Sequence, residues 1–203
     1  MILAAAAAAD HHVAMGTLSY TATVSIDGYA ADADGDFNWS APGDDVFRFH
    51  VERMDAVSAE ILGRRTYRLM RYWEAEPDPA EEVWGDDERE FARRWCELEL
   101  VVASSTLGED ELGSRARLVR DLQLDEIRGI ADAAPGEVEI FGPTTAAPAI
   151  RAGLVRDYRF FVVPMMVGGG LQAIPNDVRQ GLQLVEQRVF DNGTVLLHYR
   201  PRE

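Results

Sequence analysis

Apolar and polar positions along this chain repeat with two periods, and the periods sort most of it into strands and helices. Thr17–Ser25 (TLSYTATVS) is rich in β-branched residues and predicts a first strand. Asp27–Gly43 places Gly, Asp, Asn, Ser and Pro close together and predicts a long loop, a kind of segment that is often functional in a compact domain. Asp44–Met54 predicts a helix whose apolar side carries Val46, Phe47, Phe49, His50 and Val51. Ala56–Leu62 reads as a strand, and Arg64–Tyr72 as a helix that starts directly after Gly63. Pro77 and Pro79 break the pattern. Glu81–Trp95 resumes as a helix with Trp84, Phe91 and Trp95 on one core-facing stripe.

Further along, Glu99–Ala103 predicts a strand ending in Ser104-Ser105-Thr106, and Asp121–Ala131 a helix. Glu137–Phe141 predicts a strand closed by Gly142-Pro143, with a helix over Thr144–Ala152. Tyr158–Val163 is a strand that leads to Pro164 and Gly168-Gly169-Gly170. Gln183–Phe190 and Thr194–Arg200 form a hairpin across Asp191-Asn192-Gly193. Strands alternate with helices until this last pair. The expected fold class is therefore α/β: a mostly parallel central sheet covered on both faces, with an antiparallel C-terminal hairpin.

The 203 residues suit one domain, expected over residues 16–203. Residues 1–15 are Ala-rich and without a basic start. They are expected to be a disordered extension or a remnant of an expression tag rather than a signal peptide, with Met15-Gly16 as an alternative start. Acidic residues outnumber basic ones 35 to 20, for a net charge of −15, which argues against nucleic acid as a partner. The single cysteine, Cys96, leaves no intramolecular disulfide and fits a reducing, cytoplasmic setting. No apolar run approaches the roughly 20 residues that would span a membrane.

Several chemistries are excluded by spacing. Asp32-Ala33-Asp34-Gly35-Asp36 has Phe37 and Gly43 where a calcium loop needs Gly and Glu. No G-x-G-x-x-G follows the first strand, and there is no P-loop lysine. No Cys/His spacing fits zinc, so no metal is expected. Ser104 and Ser105 lack the glycines of a nucleophile elbow.

An ordered set of segments resembles the dihydrofolate reductase superfamily. The nearest branch is that of the C-terminal reductase domain of the bifunctional riboflavin-biosynthesis deaminase/reductase. The segments are Ser25-Ile26-Asp27-Gly28-Tyr29-Ala30, Asp36-Phe37-Asn38-Trp39, Gly63-Arg64-Arg65-Thr66-Tyr67, Ser104-Ser105-Thr106-Leu107, Gly142-Pro143-Thr144, and Ala152-Gly153-Leu154-Val155 leading to Pro164-Met165-Met166-Val167-Gly168-Gly169-Gly170. The resemblance spans residues 17–200 and implies a three-layer dihydrofolate reductase-like sandwich that uses NADPH to reduce a small molecule.

By this resemblance Gly63, Arg64, Arg65 and Thr66 hold cofactor phosphates. The bare sequence reads them equally as surface residues at a helix start. Ser104 and Ser105 fall where the family forms its 2′-phosphate pocket, although an arginine often stands at the Ser105 position. Gly142 and Pro143 replace the family's Gly-Gly, and the bond between them is expected to be cis. Thr144, Thr145 and Ala146 then open a helix toward the pyrophosphate. Ala22, Thr23 and Ala30 fall beside the nicotinamide. Asp44, with Asp45 as its neighbour, is placed as the carboxylate that fixes and protonates the substrate. Either residue reads also as a helix cap. Trp39 walls the same pocket or packs under its loop. The implied activity is hydride transfer to a pteridine- or pyrimidine-like molecule, of the dihydrofolate or 5-amino-6-(5-phosphoribosylamino)uracil class. The alternative is a non-catalytic nucleotide or small-molecule binder. A homodimer through the C-terminal hairpin is implied by the same likeness.

Overall fold

The computed structural model describes residues 16–202; the expected N-terminal extension over residues 1–15 lies outside the described residues. Ten strands and five α-helices follow in order: β1 Leu18–Ser25, β2 Tyr29–Ala31, α1 Asp44–Arg53, β3 Val57–Gly63, α2 Arg64–Met70, α3 Asp86–Trp95, β4 Glu99–Ala103, β5 Ala116–Val119, α4 Leu124–Ala133, β6 Glu137–Phe141, α5 Pro143–Arg151, β7 Asp157–Val163, β8 Leu171–Gln172, β9 Leu182–Val189 and β10 Val195–Pro201.

Eight strands form one sheet in the order β5-β4-β3-β6-β1-β7-β10-β9. The strands from β5 to β7 pair in parallel, and β10 runs antiparallel to both β7 and β9. This is the expected mostly parallel sheet with a C-terminal hairpin. Three short strands escaped the sequence pattern. β2 and β8 pair antiparallel in a separate ribbon inside what reads as loop. β5 forms an edge whose two arginine-flanked apolar residues are too few to show a period.

Helix starts shift where backbone punctuation overrides composition. Gly85 is extended (ψ −173°), so α3 begins at Asp86 rather than Glu81, with Asp86, Asp87 and Glu88 at its positive N-terminal end. Trp84 thus lies before the helix, yet it is buried against Trp73 and Tyr72. Likewise Gln123 is extended and α4 starts at Leu124.

The sheet separates two cores. Ile127 and Ala131 of α4 and Ala146, Ala149 and Ile150 of α5 cover Tyr20, Ala22 and Val24 of β1 and Val138 and Ile140 of β6. On the other face, Val51 of α1, Met54 just after it, Tyr67 of α2 and Phe91 and Trp95 of α3 cover Leu62, Leu100 and Val102. Period-2 alternation therefore sends Ser19, Thr21 and Thr23 of β1 under α1. The amino-terminal half of that face is charged. Arg53 donates to Glu137 (2.9 Å) and Glu139 (2.5 Å), and Arg159 donates to Glu137 (2.8 Å). Glu60 accepts from Trp95 Nε1 (2.9 Å), and His198 meets Asp157 (2.6 Å). Buried charges cost several kcal/mol each unless paired, so this net rigidly fixes α1 to the sheet.

Candidate active site

Parallel pairing brings the carboxyl ends of β3, β4 and β6 to one edge, with Gly63 opposite Ala103 and Leu62 opposite Phe141. Three turns leave from there side by side. Gly63 leads into α2, Ser104 follows β4, and Gly142 leads into α5. Arg64 Nη1 donates to Thr106 Oγ1 (2.6 Å), which ties the first turn to the second. The first and third turns interlock. A Cβ on Gly142 would sit 3.0 Å from Thr66 Oγ1, and a Cβ on Gly63 would strike Thr145 Oγ1. Each glycine thus lets the threonine of the other helix come close. Neither helix start has a side-chain cap, so its first N–H groups are available to an anion.

The expected cis bond between Gly142 and Pro143 is not found, since no peptide bond among the described residues is cis. Gly142 takes a left-handed φ of +92° instead, which turns the chain without isomerisation, and Pro143 occupies the first helical position.

β1 continues past the end of β6. Thr21 is the last residue opposite β6, whereas Ala22–Ser25 keep only β7 as partner. Ala22 is buried on the α5 side, and Thr23 is half-buried under α1. Ala30 lies half-buried in β2, which is clamped to β8. Asp27 accepts the N–H groups of Val167 (3.2 Å) and Gly168 (2.7 Å), anchoring the glycine-rich loop over the end of β1. A groove of about 510 Å³ runs from Pro143, Thr144 and Arg151 to Tyr29 and Gly170. Its size is that of a small-molecule site.

The residues expected beside the substrate are less uniform. Asp44 is exposed at the start of α1. Asp45 is engaged elsewhere, accepting the N–H groups of Asp191 (2.8 Å) and Val46 (2.9 Å), and so pins the C-terminal hairpin turn to α1. Trp39 bonds within its own loop, Nε1 to the Asp36 carbonyl (3.0 Å), in a 3₁₀ turn that lies against β1. Ser104 Oγ accepts the N–H groups of Thr106 and Leu107, which shapes its turn, and Ser105 is exposed beside it. Arg65 is exposed on the first turn of α2. His50 stacks near Phe161 at 4.4 Å between ring centres. Burial, and then Arg53, push its pKa down to about 3, so it stays neutral.

The sequence reading missed Tyr29 and Arg151 as groove residues, and it missed Glu60 and Glu139. Glu60 sits within the mainly apolar strand VSAEILG, and Glu139 lies between the apolar residues Val138 and Ile140 of EVEIF. An acid at an inward strand position was the available signal.

The architecture and this edge define a class: the chain has the dihydrofolate reductase-like fold. No protein-family model and no curated protein matches the sequence. Among solved structures, it is similar to a protein of Shewanella sp. PV-4 assigned by name to riboflavin biosynthesis, with TM-score 0.69 and 19% identity over 92% of this chain and 99% of that one. It is also similar to a dihydrofolate reductase of Enterococcus faecalis solved with NADP(H), with TM-score 0.61 and 16% identity over 93% and 98%. A third similar structure is the diaminohydroxyphosphoribosylaminopyrimidine deaminase/5-amino-6-(5-phosphoribosylamino)uracil reductase of Thermotoga maritima, with TM-score 0.63 and 15% identity over 93% of this chain and 57% of that one. Among the described residues no helix is long and apolar enough to cross a membrane, and no His, Cys, Asp and Glu cluster suits a metal.

Proposed function

We propose that this protein is a cytoplasmic reductase that uses NADPH to transfer a hydride to a pteridine- or pyrimidine-like molecule. One observation carries the reading. In a chain of net charge −15, the three interlocked turns at residues 63–66, 104–106 and 142–145 hold two arginines, six hydroxyl side chains and no acid. Amides, guanidinium and hydroxyls are the donors that a dinucleotide's phosphates require, and two glycines keep the cradle open. The residues present therefore fit the cofactor.

Arg64 and Thr66 at the start of α2, with Thr144 and Thr145 at the start of α5, would hold the phosphates. Ser104, Ser105 and Arg65 would border the adenosine end. Ala22, Thr23 and Ala30 would border the nicotinamide. When bound, that group supplies the hydride. The loop tied down by Asp27 excludes water from the cleft. Thr23 and Trp39 wall the acceptor, and Asp44 at the mouth contacts its polar edge. β9 is exposed on both faces, with Val189 74% exposed, and we place the homodimer contact there. The test is loss of NADPH absorbance on mixing with a panel of dihydropteridines and aminopyrimidinones. Turnover of one of them is expected. Tight cofactor binding without oxidation across the panel would favour the non-catalytic binder.

A further inference from the structure

Four buried side-chain atoms lack hydrogen-bond partners among the described residues; one, Arg115 Nη2, lies by Trp95, and the other three lie on the α1 side of the sheet. These three are Thr21 Oγ1, Arg53 Nε and Glu139 Oε1. Thr21 is 4% exposed and Glu139 1%. Leaving such an atom unmet costs about 1–3 kcal/mol, and native proteins tolerate few. Arg53 and Glu139 are paired, and the register sets Thr21 on the same face. Arg53 Nη2 already holds Glu139 Oε2 at 2.5 Å, so Nε and Oε1 flank one ion pair. Thr21 follows Ser19, the register partner of Glu139, by two residues on the same face of β1. A buried water typically makes about three hydrogen bonds. Here it would accept from Nε–H and donate to the carboxylate and to the threonine oxygen. The hydroxyl hydrogen of Thr21 would then be left to point toward Thr23 and the cleft.

Directly across from Glu139 in the register lies Glu60, 3% exposed and bonded to Trp95 Nε1. We infer that Thr21, Arg53 and Glu139 hold one buried water, and that this water and the Thr21 hydroxyl deliver a proton from Glu60 to the acceptor beside Thr23. The groups facing this path are His50 and Arg53 of α1, Trp95 of α3, Arg115 before β5, Glu137 of β6 and Arg159 of β7. Arg115 lies 3.9 Å above the Trp95 ring. Burial first, then the Glu139 charge, raise the Glu60 carboxyl to about 7, so it keeps its proton near neutrality.

The delivery step rests on the reductase reading. Hydride forms the new C–H bond, and the π pair of the acceptor's C=N bond moves to nitrogen. That pair takes the Thr21 proton, which is replaced through the water and the Glu139 carboxylate by the proton of Glu60. Glu60 ends as a carboxylate and is recharged from solvent.

Two measurements on the ligand-free protein test the store and the path. A crystal structure is expected to show a water within hydrogen-bonding distance of all three atoms. A pH-difference infrared spectrum is expected to show a buried carboxylic acid band that fades as pH rises through about 7 and is missing in Glu60→Gln. No water, or no such band, overturns the proposal. In a single turnover, Thr21→Val is expected to slow NADPH oxidation by about 10²-fold, the usual worth of general acid catalysis, without weakening NADPH binding. An unchanged rate in Thr21→Val overturns the delivery role. If the wild type has the water and the band but oxidises no acceptor, the reductase reading fails and the delivery role with it, while the buried proton store stands.

Discussion

Glu60→Gln isolates a pH-dependent cost in the core. In the unfolded chain this carboxyl titrates near 4.5, whereas burial and the neighbouring Glu139 carry it to about 7 in the fold. Between those values the native state holds a proton that the unfolded state has released. Stability therefore falls as pH rises: the contribution is complete below the unfolded value and lost once the folded carboxyl ionises. A displacement of that size corresponds to about 3 kcal/mol. Glutamine keeps an oxygen for Trp95 Nε1 and removes the titration. Urea unfolding followed by circular dichroism at pH 5, 6, 7 and 8 gives the difference between wild type and variant at each pH, and so cancels the other carboxylates. Wild type is expected to lose up to about 3 kcal/mol relative to Glu60→Gln across this range. Parallel stability curves would show that Glu60 ionises inside the fold as it does in the unfolded chain.

Arg53→Met leaves Glu139 buried without its cation, and urea unfolding is expected to show a loss of about 3–5 kcal/mol; a loss below about 1 kcal/mol, the scale of a surface pair, would mean the net is open to solvent. Gly142→Ala forces a side chain onto φ +92° with its Cβ 3.0 Å from Thr66 Oγ1. A cost of about 1–3 kcal/mol is expected in a thermal melt, and an unchanged melt would contradict the interlocked helix starts. Asp45→Ala releases the hairpin turn at Asp191 and should cost about 1 kcal/mol with NADPH affinity intact; a lost affinity would return Asp45 to the ligand.

The sheet was legible because its strands announce themselves. β1 and β3 are long β-branched or apolar runs, and the Asn-Gly turn at 192–193 marks the final hairpin. β5 and β2 were not, because short edge strands carry too few inward residues to set a period. The three turns at the carboxyl edge of the sheet were legible as Gly-led helix starts at residues 63 and 142 and as the Ser104-Ser105-Thr106 strand end. Their contact with one another was not, because Thr66 meets Gly142 only through strand order. A proline after glycine suggested a cis bond, but glycine's own freedom at positive φ does the turning. Asp45 shows the same limit. Sequence places an acid at a helix mouth, and only the fold shows that the backbone of Asp191 claims it.

The turn at residues 63–66 is proposed to grip an anionic dinucleotide. Calorimetric titration of NADPH into the wild type and Arg64→Ala measures that grip. A lost charge-assisted hydrogen bond at a partly exposed site corresponds to about tenfold weaker binding in the variant. Equal affinities, or a wild type that takes up no NADPH, would contradict it.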